Sequence, residues 1–255
     1  MTDEPPPELL ARAEAGDAEA QSRVGWFYAC LDRDEPAVLW LRRAADQGFG
    51  RAQHNLGLLA YHRGRHAEAN TWFMDAAKVG YMPAVVSIAT ILEHSDRLEE
   101  AVRFFQIAAE RGDPDGQDAL GRLAMAAETD EGYEDARRWS ELAAGQGNPD
   151  AHARLGTIYH EGLGVERDPK RAASHWLTAA RAGHAGAQMA IGMAYEIGAG
   201  LPVDKAEAVY FLTLGAAQGH EGARACLESV LSRLSLWEEA AAKRRLEQAG
   251  LQFPT

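Results

Sequence analysis

Seven glycines, Gly16, Gly48, Gly80, Gly112, Gly147, Gly183 and Gly219, mark the chain at intervals of 32, 32, 32, 35, 36 and 36 residues. A period of this length belongs to chains built from copies of one supersecondary unit, each leaving an apolar face that only its neighbours cover. Three residues before each of the last six glycines stands an alanine: Ala45, Ala77, Ala109, Ala144, Ala180 and Ala216. Eleven residues before the same glycines stands another, at Ala37, Ala69, Ala101, Ala136, Ala172 and Ala208. Small side chains two turns apart predict a helix packed closely at both points. Between them come bulky groups, Trp40, Trp72, Phe73, Phe104, Phe105, Trp139, Trp176 and Phe211, which read as knobs in that interface.

Eight residues after each marker glycine an aliphatic recurs, as Val24, Leu56, Ile88, Leu120, Leu155, Ile191 and Leu227. Glycine follows it at Gly25, Gly57, Gly121, Gly156 and Gly192. A glycine inside a helix costs about 1 kcal/mol relative to alanine, so its return at one register predicts a close approach of two helices. Each unit therefore reads as helix A, a turn, helix B, and a glycine in the left-handed conformation that ends helix B. No segment alternates apolar and polar residues as a half-buried strand would. The expected fold is all-α, a right-handed α-α superhelical solenoid of about seven helix-turn-helix repeats. Residues 1–15 read as a tail and a capping half-repeat helix, and residues 16–250 as the solenoid. Repeats are expected to start near 16, 48, 80, 112, 147 and 183, with a polar cap over 219–250 and a tail at 251–255.

Charge and composition exclude several functions. With 38 acidic against 26 basic side chains the formal net charge is −12, which disfavours a phosphate backbone as partner. The start, MTDEPPPELLARAEAG, lacks the basic and apolar regions of a secretory signal, and no apolar run reaches the roughly 20 residues of a membrane span. The expectation is a cytoplasmic protein with no membrane partner. Cys30 and Cys226 are far apart in a chain of local contacts and read as buried packing residues rather than a disulfide.

The copy AHARLGTIYHEGLGVERDPKRAASHWLTAARAG at 151–183, followed by AQMAIGMAYEIGAGLPVDKAEAVYFLTLGAAQG, resembles the Sel-one-like repeat (SLR) family, relatives of the tetratricopeptide repeat. The resemblance runs from about residue 16 to residue 250. The first three units are shorter, with turns such as YHRGRHAEA that lack the G-x-G-V insertion, and look closer to tetratricopeptide units.

Membership of this family implies an adaptor that binds peptides or domains along a groove lined by the A helices. Placed as in tetratricopeptide repeats, positions 3, 6, 10, 13 and 14 after each glycine face that groove. In the early units this selects Trp26, His54, Leu58, Tyr61, His62, Thr90, Glu93 and His94. In the later ones it selects Arg122, Met125, Thr157, His160, Glu161, Met189, Met193 and Glu196. Aromatic groups and methionines beside charges suit an interaction surface, while Trp26, Tyr61, Met189 and Met193 suit packing between helices equally well.

Four of these are histidines, accompanied by Glu93, Glu161 and Glu196, so metal binding or hydrolysis is a third reading. Equivalent side chains on neighbouring repeats stand roughly 10 Å apart, and His54 and His62 are separated by about 12 Å of helix rise, which is too far for shared ligation. No HExxH, paired CxxC, glycine-rich phosphate loop or GxSxG occurs. No cofactor and no catalysis are therefore expected. The leading expectation is a protein-interaction scaffold for a basic or mixed-charge protein or peptide, and the second a dedicated inhibitor or regulator of one partner enzyme, of the toxin-neutralising kind.

Overall fold

The computed structural model describes residues 4–254, and these form fifteen α-helices and no strand. The chain divides into two compact units, one ending at Gly116 and the other beginning at Gln117. The first contains α1 (Pro7–Glu14) and three A/B pairs: α2 (Ala18–Ala29) with α3 (Asp34–Ala45), α4 (Gly50–His62) with α5 (His66–Lys78), and α6 (Met82–His94) with α7 (Leu98–Glu110). Helix α8 (Pro114–Met125) begins at its end and continues into the second unit. There it is followed by α9 (Asp130–Gly145), α10 (Pro149–Glu161), α11 (Pro169–Arg181), α12 (Ala185–Ile197), α13 (Lys205–Ala217), α14 (Glu221–Leu231) and α15 (Leu236–Gln248). The fold is an all-α helical repeat of the solenoid class, with seven A/B pairs after a leading helix.

All seven marker glycines are left-handed, with φ between 75 and 98°. The predicted small-residue seam is present. The alanines eleven residues before the glycines, from Ala37 to Ala208, have no exposed surface. At the other end of the B helix, the tightest position lies one residue earlier than the repeat alone suggests: Ala44, Ala76, Ala108, Ala143 and Ala179 are wholly buried, whereas Ala77 and Ala216 are only half-buried.

Mid-helix glycines mark where each A helix meets its own B helix. A Cβ on Gly57 would come within 2.5 Å of the Phe73 ring, one on Gly25 within 2.7 Å of Leu41, and one on Gly192 within 2.8 Å of Leu212. On Gly156 it would enter the Trp176 ring. The pair α8/α9 solves the same contact differently. Opposite Gly121 stands the fully buried Ser140, and the Arg154 guanidinium fills the remaining space, bonding Ser140 Oγ at 3.1 Å and Asp118 at 2.9 Å. An ion pair there replaces the leucine or aromatic knob of the other pairs.

A polar device absent from the sequence reading recurs in the core. Buried glutamines five residues after the marker glycines donate to B-helix carbonyls: Gln21 to Ala13 O at 3.0 Å and Gln188 to Ala180 O at 3.1 Å. Their own carbonyls accept from glutamines just before the next glycine, Gln47 to Gln21 at 2.8 Å and Gln218 to Gln188 at 2.7 Å. Each of these carbonyls also accepts from the marker glycine that follows, Ala13 O from Gly16 N and Ala180 O from Gly183 N, so the glutamine amide fills the second acceptor site at the helix end.

Two expectations fail in detail. Cys30 is exposed at the C-terminal end of α2 and Cys226 is half-buried, so neither is the buried packing residue expected; both are free thiols.

Candidate partner-binding cleft

An open apolar concavity of the first unit has a volume of about 650 Å³ and is formed by α1, α2, α4 and the residue that starts α6. Trp26 supplies its most accessible ring, 41 % exposed, although it sits on the same helix as the fully buried Val24. Phe27 and Leu9 extend the apolar wall, and Tyr81 closes the far side. Tyr81 occupies the N-cap of α6, where it provides no side-chain cap, and its ring lies 5.4 Å from that of His54.

His54 is the polar centre. Its ring lies 5.4 Å from Phe73, its Nε2 lies 2.9 Å from Ser87 Oγ, and burial pushes its pKa from 6.5 down to about 4. It is therefore neutral at physiological pH, and the positive charge of the cleft comes from Arg23 and Arg51. Neither arginine has an ion-pair or hydrogen-bond partner among the described residues, while Arg12, Arg33, Arg63, Arg65 and Arg97 of the same unit each pair with a carboxylate. Ser22, only 1 % exposed, lines the cleft with a hydroxyl that also has no partner.

The other residues selected from sequence do not join this site. Leu58 and Tyr61 are half-buried, with the Tyr61 ring 5.0 Å from His66, and His62 is exposed. Thr90 bonds the Val86 carbonyl and His94 the Thr90 carbonyl, while Glu93 is half-buried. In the second unit Arg122 and Glu161 are exposed, and Thr157 bonds the Ala153 carbonyl. Met125 packs on the core of α9 to α13, Met189 on that of α13 to α15 with its sulfur over Gly222, and Met193 is half-buried. His160 lies 5.0 Å from the Trp176 ring, and Glu196, its side chain 7 % exposed, is held by Arg233 at 2.6 Å.

Sequence reasoning missed Arg23, Phe27, Asn55 and Tyr81 as cleft residues. The register that selects His54 and Trp26 also selects Ser22, Cys30 and Arg51, so these three were within reach. Tyr81 carries a signal as well, because its position holds Asp, Asn or His in five of the seven units. Also unanticipated is the contact between His152 and His175, whose Nδ1 atoms stand 3.0 Å apart with both pKa values lowered by burial. His152 takes the register position of the core glutamines, and His175 stacks on Tyr159. Among the described residues no three His, Cys, Asp or Glu side chains gather as metal ligands, and no helix is long and apolar enough to cross a membrane.

The Sel1 repeat signature matches residues 18–49, 50–71, 96–113, 119–148, 149–184 and 185–220, which is more than half of the chain. The chain belongs to the Sel1 repeat family. Among solved structures, a protective antigen of uropathogenic Escherichia coli strains displaying an SLR fold is 29% identical over 95% of this chain, with a TM-score of 0.71. This chain spans 55% of that antigen's length. A Sel1 repeat protein from Oxalobacter formigenes is 25% identical, with a TM-score of 0.71, over 92% of this chain and 98% of its own. The immunity protein Pa5087 from Pseudomonas aeruginosa shares the fold at 17% identity and a TM-score of 0.54, over 86% of both chains. A comparison with curated protein sequences finds no match. In this Sel1 repeat chain the family signature omits residues 72–95, the stretch that contains Tyr81. One wall of the cleft thus comes from a stretch outside the matched repeats.

Proposed function

We propose that this Sel1 repeat chain is a non-catalytic interaction module that binds a partner polypeptide on the face of its A helices, with the cleft around Trp26 as the principal contact. The observation that carries this reading is the cleft itself: a large exposed aromatic ring beside an apolar wall, with polar groups left unbonded. Exposed aromatic and arginine side chains in a concave apolar setting are the residue types on which binding energy concentrates. The remaining candidates, Leu58, Tyr61, His62, Glu93, His94, Arg122, Met125, Thr157, His160, Glu161, Met189, Met193 and Glu196, would then support the fold or extend the contact.

Site-specific photo-crosslinking tests the reading. A crosslinking residue in place of Trp26 is expected to capture a partner protein in the host cell, whereas the same residue at Leu39, 52 % exposed on helix α3, is expected to capture none. Capture from Leu39 alone would place the binding surface on the B helices and overturn the proposal.

A further inference from the structure

The chemistry of the cleft runs against that of the chain. The protein has 38 acidic side chains and a net charge of −12, yet among the described residues no aspartate or glutamate lines this concavity. The charged groups that do line it are Arg23 on α2 and Arg51 on α4, both without partners among the described residues. Arg12, Arg63, Arg65 and Arg97 of the same unit each pair with a carboxylate. His54 adds no charge, being held neutral by burial. The result is a concavity in which the apolar rings of Trp26, Phe27 and Tyr81 share the lining with two guanidinium groups.

We infer that this cleft receives an internal segment of a partner polypeptide in which acidic side chains flank an aromatic one. The inference rests on the partner-binding reading above and gives that partner a chemistry. The aromatic side chain lies against Trp26 and Tyr81, and each carboxylate takes one arginine. Charge-assisted bonds from arginine to carboxylate are among the stronger hydrogen bonds available to a surface. Two arginines on successive A helices, whose axes lie about 8–10 Å apart, match acidic side chains about two or three residues apart on an extended chain. A single chain-terminal carboxylate would leave one arginine unanswered, which favours an internal segment. The partner is thus acidic at its contact, the opposite of what the net charge alone suggests.

Fluorescence anisotropy with the full chain tests this. The probe is a dye-labelled, N-acetylated and C-amidated decapeptide carrying one phenylalanine between two aspartates, all other positions being glycine or serine. Saturable binding is expected, weakened by about tenfold or more in Arg51→Glu, Arg23→Glu and Trp26→Ala, and unchanged in Leu142→Ala, at an exposed position of α9 outside the cleft. A peptide with lysines for the aspartates should bind the Arg23→Glu/Arg51→Glu variant better than the unaltered chain, a gain that a misfolded variant cannot produce. Equal binding of both peptides to the unaltered chain, or binding indifferent to the arginine substitutions, overturns the inference. So does equal binding of a peptide whose sole carboxylate is a free C-terminus. Selection of random displayed peptides separates the two levels. Sequences without acidic residues that still depend on Trp26 defeat this inference and leave the cleft reading standing. Selected sequences indifferent to Trp26, or none at all, defeat both.

Discussion

The two units start their helices differently. In the second, side chains accept from first-turn amides at nearly every helix: Thr129, Asn148, Asp168, His184, Asp204, His220 and Ser235 each act as an N-cap. In the first, α2 is capped by Asp17, but α4 and α6 begin with Phe49 and Tyr81, and α3, α5 and α7 with Arg33, Arg65 and Arg97, none of which caps. A cap is worth about 1 kcal/mol. The first unit therefore forgoes local stability at several places, and at one of them the displaced cap is Tyr81, a wall of the cleft. The difference teaches that an apolar cleft wall and a helix cap compete for the same position: Tyr81 lines the cleft where the second unit places a capping side chain.

The connections between A and B helices differ in parallel, and breaking them should give the largest effect. In the second unit the turn between α12 and α13 brings Gly200, at φ 79°, against backbone, so that a Cβ there would overlap the Pro169 carbonyl. In the first unit Gly64, at φ 71°, has open space around its Cβ site. Gly200→Ala is expected to cost about 3 kcal/mol, combining left-handed strain with a backbone overlap, and Gly64→Ala only about 1 kcal/mol from strain alone. Because repeat arrays need not unfold in one step, the measurement is amide exchange in α12 and α13 against α4 and α5. Equal losses would show that the long turns of the second unit are no more constrained than the short ones of the first.

An intermediate effect concerns pH. His54 is buried with its pKa lowered from 6.5 to about 4, so the native state binds fewer protons than the unfolded chain between those values. Its contribution is complete above pH 6.5 and is lost as the pH falls through 4. The first unit should lose roughly 2 kcal/mol on this account, after a discount for partial exposure. Urea unfolding of the full chain and of His54→Gln at pH 7 and pH 4.5, followed by circular dichroism, checks this. The variant should lose less stability than the unaltered chain over that interval; parallel losses would mean that His54 is solvated and the cleft floor wetter than the geometry indicates.

Much of the fold was legible because it rests on residues whose size or backbone freedom is unusual. Left-handed marker glycines and wholly buried alanines such as Ala101 have few alternatives, so their spacing alone fixed helix, turn and seam. The glutamine relays were not legible, since Gln21 and Gln47 look like ordinary surface residues until the B-helix carbonyls they serve are placed. The ion pair of Asp118 and Arg154 was hidden for the same reason, being a charged solution to a contact that elsewhere is leucine or aromatic. In the cleft the register reached Trp26, His54, Ser22 and Arg51, but not the facts that distinguish Arg51 from Arg63. Whether an arginine has a carboxylate in reach depends on residues from other helices. Tyr81 lay at a cap position, outside the register used to select the groove.

That cap position also gives the smallest expected effect and the sharpest test of the trade between capping and binding. Tyr81→Asn places in the first unit the residue that caps α10 in the second, where Asn148 accepts from Ala151 N at 2.9 Å. The new cap should contribute about 0.5–1 kcal/mol to the start of α6, seen as slower amide exchange in its first turn. Removal of the ring exposes His54, whose pKa should then move back toward 6.5 in an NMR titration. The aromatic-acidic probe peptide should bind more weakly even as the helix becomes more protected. Faster exchange in α6 would instead show that Tyr81 holds the helix through packing on His54, and that the first unit gives up nothing for its cleft.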